Sequence, residues 1–220
     1  MERTGVRQTE PVLRAVLFDF GGVFTPSPFP VIADSAPELG LSPQAAIELC
    51  FGVYDCDGDH PWHKLERGEI SLDEARAGLA ALAREQEVEV DMLALFGRMG
   101  KPDPHREIMV EGARRIRERG LRTALVTNNV AEFGEGWRKM VPVDELFEVI
   151  IDSSSVGVRK PDPKIFQLAL DALGVLAQDA VFVDDHPGNI AAAEALGMAG
   201  VLVGPDRPQA LAALDEALAA

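Results

Sequence analysis

The sequence sets polar, chemistry-bearing residues directly after apolar runs at three points: Asp19 in LFDFGGV, Thr127-Asn128-Asn129 after ALV, and Asp184-Asp185-His186 after VFV. A fourth element, Arg159-Lys160-Pro161-Asp162-Pro163, stands just before a helical pattern. An acid, a hydroxyl, a lysine and an acid pair in this order suit phosphoryl transfer. Asp19 as a carboxylate can attack phosphorus, and an aspartyl-phosphate divides one difficult displacement into two easier ones. A carboxylate facing a phosphate dianion is repelled, so such a site needs cations. Lys160 supplies one positive charge, and Asp184 with Asp19 can hold a Mg²⁺. Thr127 and the backbone amides beside it can donate to phosphate oxygens at a strand-to-helix turn. Singly, an Asp after a strand is more often a helix N-cap; the order and spacing of all four elements carry the reading.

These residues need a scaffold that delivers them to one edge. Apolar runs over 12–20, 121–127, 180–184 and 200–203 read as buried parallel strands, with a fifth over 147–151. Helical patterns over 106–119, 131–140, 164–173, 188–196 and 209–219 lie among them. The alternation predicts an α/β fold, a Rossmann-like doubly wound parallel sheet. Ligands of such sheets bind beyond the carboxyl ends of the strands, where the polar elements sit.

Residues 26–100 break the alternation, with helical spacing over 44–51, 72–85 and 91–99 and no convincing strand. The chain leaves the sheet through TPSPFP and returns through GKPDP. The expected organisation is a core of residues 11–25 and 101–220 with a helical cap, residues 26–100, inserted after the first strand. Lys-Pro-Asp-Pro occurs twice, and Lys160 rather than Lys101 is placed for chemistry, since Lys101 falls at the return hinge.

The 220 residues, 47% hydrophobic, can bury a substantial core. With 21 Lys and Arg against 36 Asp and Glu, the charge of −15 repels nucleic acids and anionic membrane surfaces. Cys50 and Cys56 have neither metal-ligand spacing nor the number for a disulfide framework. The polar opening residues and the lack of a membrane-length apolar run complete the expectation of a cytoplasmic monomer or homodimer.

The segments DFGGVFTPSP and WHKLERGEIS, with the Asp, Thr, Lys, Asp-Asp order, resemble the haloacid dehalogenase (HAD) superfamily, and within it the subgroup containing the N-terminal phosphatase domain of soluble epoxide hydrolases. The resemblance covers nearly the whole chain. It implies a Mg²⁺-dependent hydrolase of small phosphorylated metabolites, with Asp19 as nucleophile, Thr127 binding phosphate, Lys160 balancing charge and Asp184 holding metal. Gly21 would offer a backbone carbonyl to the metal, and Asp185 would support the metal or its waters. Asn128 and Gly22 join Thr127 and Lys160 as expected substrate contacts.

Phosphatases of the superfamily usually carry a second aspartate two residues after the nucleophile, as general acid and base. Here Gly21 stands there, a loss worth about 10² to 10⁴ in rate. His60, His63 and Asp59 are candidate replacements in the cap, although packing and surface roles explain them better. Glu66 and Arg67 read as a helix end without a part in the chemistry, and His186 as a loop residue. The competing readings are C–halogen hydrolysis by the same nucleophile and a phospholigand-binding domain with little turnover.

Overall fold

A computed structural model describes residues 13–98 and 105–219. The GKPDP hinge and Lys101 lie outside the described residues, as do the first position of the 12–20 run and the last of the 91–99 pattern. Five strands form one sheet: β1 (Ala15–Phe18), β2 (Arg122–Thr127), β3 (Val149–Asp152), β4 (Ala180–Asp184) and β5 (Ala199–Leu202). Every neighbouring pair is parallel and the order is β3-β2-β1-β4-β5. The doubly wound α/β expectation holds.

Successive side chains of a strand point to opposite faces, and both faces here are apolar. Val16, Phe18, Leu125, Val181 and Val183 join one core cluster; Ala15, Leu17, Ala124, Val126 and Phe182 join the other. Each large side chain so buried contributes about 1.5–3 kcal/mol.

Eleven helices are described. Five lie between β1 and the second strand's helix: α1 (Pro28–Leu39), α2 (Pro43–Phe51), α3 (Pro61–Glu66), α4 (Leu72–Glu85) and α5 (Met92–Arg98). The remaining six are α6 (Arg106–Glu118), α7 (Val143–Leu146), α8 (Ser153–Val156), α9 (Pro163–Leu173), α10 (Pro187–Ala195) and α11 (Arg207–Ala217). The first five share a core of their own built on Ile32, Ala46, Phe51, Trp62, Leu65 and Leu79.

Two departures from the sequence expectation have local causes. The TPSPFP segment is not only an exit: α1 starts within it at Pro28, because proline is pre-set for the first turn of a helix. Residues 131–139 form 3₁₀ turns instead of an α-helix, since Gly134 sits at φ 54°, ψ −150° and breaks the run. By contrast α4 begins where the pattern places it, fixed by a capping box in which Ser71 and Glu74 satisfy each other's backbone N–H groups.

Candidate active site

Register brings the acids together. Phe18 pairs with Val183 of β4 and with Leu125 of β2, so Asp19 and Asp184 leave adjacent strands at one level. The Asp19 N–H continues the ladder by donating to the Val183 carbonyl at 2.8 Å. Into this edge reaches Lys160, buried, its Nζ 2.5 Å from Asp19 Oδ1 and 2.8 Å from Asp184 Oδ2. Asp184 also accepts the His186 N–H at 2.7 Å and both of its oxygens lie within 3.2 Å of Asn189 Nδ2. Asn189 stands in the first turn of α10, three residues beyond His186, a position the sequence analysis passed over.

The lysine is held by its main chain. Lys160 N donates to Asn128 Oδ1 at 2.8 Å, and Asn128 Nδ2 donates to the Lys160 carbonyl at 3.1 Å and to Tyr54 Oη at 3.2 Å. The Asn128 side chain, expected to touch substrate, lines the cavity over Asp19 and also fixes the lysine loop. Thr127 ends β2, buried, and lines the same cavity as Asp19 and Gly21.

Oxygens of Asp19, Asp184 and Asp185 all lie within 4.8 Å of one another. Burial drives the Asp19 carboxyl well above the usual carboxylate range; Lys160 pulls it back, while Asp184 and Asp185 push it further up. Burial, then Asp184, push Asp185 up to about 6. Burial opposes the charge on Lys160, but Asp184 and Asp19 outweigh it and raise its pKa. One ammonium thus faces three crowded carboxylates, and this excess of hard oxygen charge fits a divalent cation such as Mg²⁺.

The two glycines that follow Asp19 and Phe20 differ. Gly22 takes φ 72°, where a side chain is strained, and a Cβ there would run into the Asp185 carboxylate. Its neighbour Gly21 has open space where a Cβ would stand.

A cavity of about 580 Å³ opens above Asp19, and residues of the helical insertion line part of it. Tyr54, Trp62 and Glu66 reach it from that side. Glu66, set aside in the sequence as a helix end, is buried and accepts from Trp62 Nε1 at 2.8 Å, Tyr54 Oη at 3.1 Å and Arg159 Nε at 2.7 Å. Its carbonyl also accepts from Ser153 Oγ at 2.5 Å. The fully buried Arg159 precedes Lys160 and lies over the Tyr54 ring, 4.6 Å from its centroid. The only sequence signal for this pairing was the adjacency of Arg159 to Lys160.

His60 and His63 are not among the described residues lining the cavity. Burial first, then Arg159, bring the His63 imidazole down to about 3, which disfavours its cationic, acid form near neutrality. Asp59 points to solvent and pairs with Lys64 at 3.2 Å. His186 does line the cavity, with burial lowering its pKa.

The carboxyl edge of the parallel sheet thus carries an acid, a lysine and an acid pair within one cluster. Residues 13–197 match the family model for haloacid dehalogenase-like hydrolases, and the chain belongs to that family. It is 32% identical over 201 residues to mouse acyl-CoA dehydrogenase family member 10, covering 89% of this chain and 18% of that protein. It is 27% identical over 204 residues to mouse bifunctional epoxide hydrolase 2, covering 87% of this chain and 36% of the relative. The chain therefore spans about a fifth to a third of the length of these two proteins. Phosphatases are among the further relatives. A HAD family enzyme of Bacteroides thetaiotaomicron, solved with magnesium and inorganic phosphate, shares the fold with a TM-score of 0.58 at 19% identity, over 88% of this chain and 96% of that one. Among the described residues no helix is long and apolar enough to cross a membrane.

Proposed function

We propose that this HAD hydrolase is a Mg²⁺-dependent phosphomonoesterase that works through an aspartyl-phosphate on Asp19. The observation that carries the reading is Lys160 Nζ bridging Asp19 and Asp184 beside a third acid, Asp185. Asp19, Asp184 and Asp185, with the Gly21 carbonyl, would hold the metal, which when bound neutralises charge on a phosphate oxygen. Relatives named as phosphatases of phosphoglycolate, phosphoserine and a sesquiterpene support the reaction class.

In the first step Asp19 Oδ bonds to phosphorus and the P–O ester bond breaks. Lys160 holds the nucleophile and offsets the repulsion between carboxylate and phosphate. Thr127 orients the phosphoryl oxygens from the end of β2. The departing alkoxide takes its proton from water, because Gly21 provides none. Water then attacks phosphorus, phosphate leaves, and the Asp19 carboxylate is regenerated. The helical insertion, residues 26–100, acts as the cap that excludes bulk water. The three-acid cluster favours this reading over C–halogen hydrolysis, which has no use for a cation-binding set.

The test measures phosphate release from a panel of monoesters with Mg²⁺ and with EDTA, beside Asp19→Asn. Metal-dependent release that Asp19→Asn abolishes is expected. Release that survives either EDTA or the substitution would overturn the mechanism.

A further inference from the structure

We infer that Tyr54 of the helical insertion is a positioning residue for Lys160, so that the insertion sets the ammonium against Asp19 through a chain of hydrogen bonds. The inference rests on the phosphomonoesterase reading and adds to it a residue that acts through the lysine. Tyr54 Oη donates to Glu66 Oε1 at 3.1 Å and accepts from Asn128 Nδ2 at 3.2 Å. Asn128 then closes on the main chain of Lys160 from both sides: its Oδ1 accepts the N–H at 2.8 Å and its Nδ2 donates to the carbonyl at 3.1 Å. The chain ends at Lys160 Nζ, 2.5 Å from Asp19 Oδ1 and 2.8 Å from Asp184 Oδ2.

Each link has one workable direction. A carboxylate only accepts, so the phenolic proton points to Glu66 and the oxygen's lone pairs are left to face Asn128. Both amide protons of Asn128 and its oxygen are then committed, and turning the amide over would set its N–H groups against the Lys160 N–H. The phenol stays neutral for this task, since burial first and then Glu66 push it well above its ordinary range. The ring is held too. Phe29 and His186 meet it edge-on at 5.1 and 5.0 Å between centroids, and the Arg159 guanidinium lies over its face. Glu66 is fixed in turn by Trp62 Nε1 and Arg159 Nε, and its carbonyl accepts from Ser153 Oγ, which accepts the Asn129 N–H at 2.9 Å. Two residues of the insertion thus grip both core segments, 127–129 and 159–160, that carry Thr127 and Lys160. A small displacement of a charge at a reacting centre is costly, which gives this grip a kinetic consequence.

The experiment compares Tyr54→Phe, Asn128→Ala and the double variant with the wild type, on the full chain with Mg²⁺. Phenylalanine keeps the ring and removes only the hydroxyl. Hydrolysis of phenyl phosphate reads kcat and KM. The proton–nitrogen correlation signal of the Lys160 ammonium, identified by its loss in Lys160→Arg, reads the lysine without any substrate. Tyr54→Phe is expected to lower kcat about three- to tenfold, the worth of one hydrogen bond, with KM unchanged, and to shift the Lys160 signal. Because Tyr54 acts through Asn128, the double variant should match Asn128→Ala alone in both readouts. A rise in KM at unchanged kcat would make Tyr54 a wall of the cavity and no more, and additive losses in the double variant would break the chain; either overturns the assignment. An unmoved Lys160 signal overturns it whatever the turnover. A signal that moves and shows this coupling, in a protein that releases no phosphate from any monoester, supports the positioning role and instead removes the phosphomonoesterase reading.

Discussion

Glu66 of the helical insertion and Arg159 of the core form a buried ion pair, Oε2 to Nε 2.7 Å, one residue from Lys160. The insertion is thereby tied to the loop that carries Lys160. Both partners are removed from water, so each depends on the other for compensation.

Truncating one partner should leave an uncompensated charge. Glu66→Ala is expected to destabilise the protein by about 3–5 kcal/mol, while a double change of Glu66 and Arg159 to apolar residues of similar volume recovers much of the loss. Urea denaturation of the single and double variants reads the coupling. Additive losses would show that the pair is not a unit.

Asp19→Asn should remove turnover, by about four to six orders of magnitude, and at the same time stabilise the fold. Burial and two neighbouring acids work against the Asp19 charge, so neutralising it at neutral pH relieves more than the loss of one contact to Lys160 costs. A gain of about 1 kcal/mol corresponds to roughly 2–4 °C in melting temperature for a chain of this size. A lowered melting temperature would contradict this balance.

On the proposed mechanism, Gly21 offers the leaving group no proton, and the rate should depend on that group's basicity. Aryl phosphates should be hydrolysed much faster than alkyl phosphates of equal size, and Gly21→Asp should flatten that dependence, because a Cβ at 21 meets open space. Gly22→Ala should lose activity, through backbone strain and collision with Asp185. A plot of rate against phenol pKa for the wild type and Gly21→Asp decides the matter.

Metal binding should weaken in acid. Asp185 lies near 6 before any cation is bound, and a cation competes with the proton for its carboxylate. Mg²⁺ affinity, read from the rise in melting temperature on titration, is expected to fall as pH drops below about 6. Asp185→Asn should weaken binding at neutral pH and remove most of that dependence.

His63 gives a second pH signature, in stability. Its folded pKa of about 3 lies below the value of an unfolded histidine, so the unfolded chain binds the extra proton between about pH 6.5 and 3. Its contribution is complete above that window and is lost as pH falls through it. The Asp57 carboxylate 3.8 Å away does not reverse the sign, being held already by Arg67. In His63→Phe, denaturation midpoints should fall less steeply over this range.

The sheet and its edge were legible because their signals are local. Continuous apolar runs ended in Asp19, Thr127 and Asp184, and parallel register did the rest. The capped α4 was equally plain. What escaped was set by contacts between distant segments: Glu66 with Arg159, Tyr54 with Asn128 and Asn189 with Asp184. Each residue alone has an ordinary surface or turn reading. The hold of the Asn128 amide on the Lys160 main chain likewise follows from a hydrogen-bond geometry that no spacing encodes.

The central place of β1 has a consequence for biosynthesis. The strand that leads into Asp19 leaves the ribosome before either of its partners, Arg122–Leu125 on one side and Ala180–Val183 on the other. Until β4 has emerged, β1 keeps an unpaired edge, and such edges invite wrong partners. Nascent chains halted before residue 184 should therefore be the aggregation-prone species, and Asp19 acquires its acidic neighbours only once β4 has emerged.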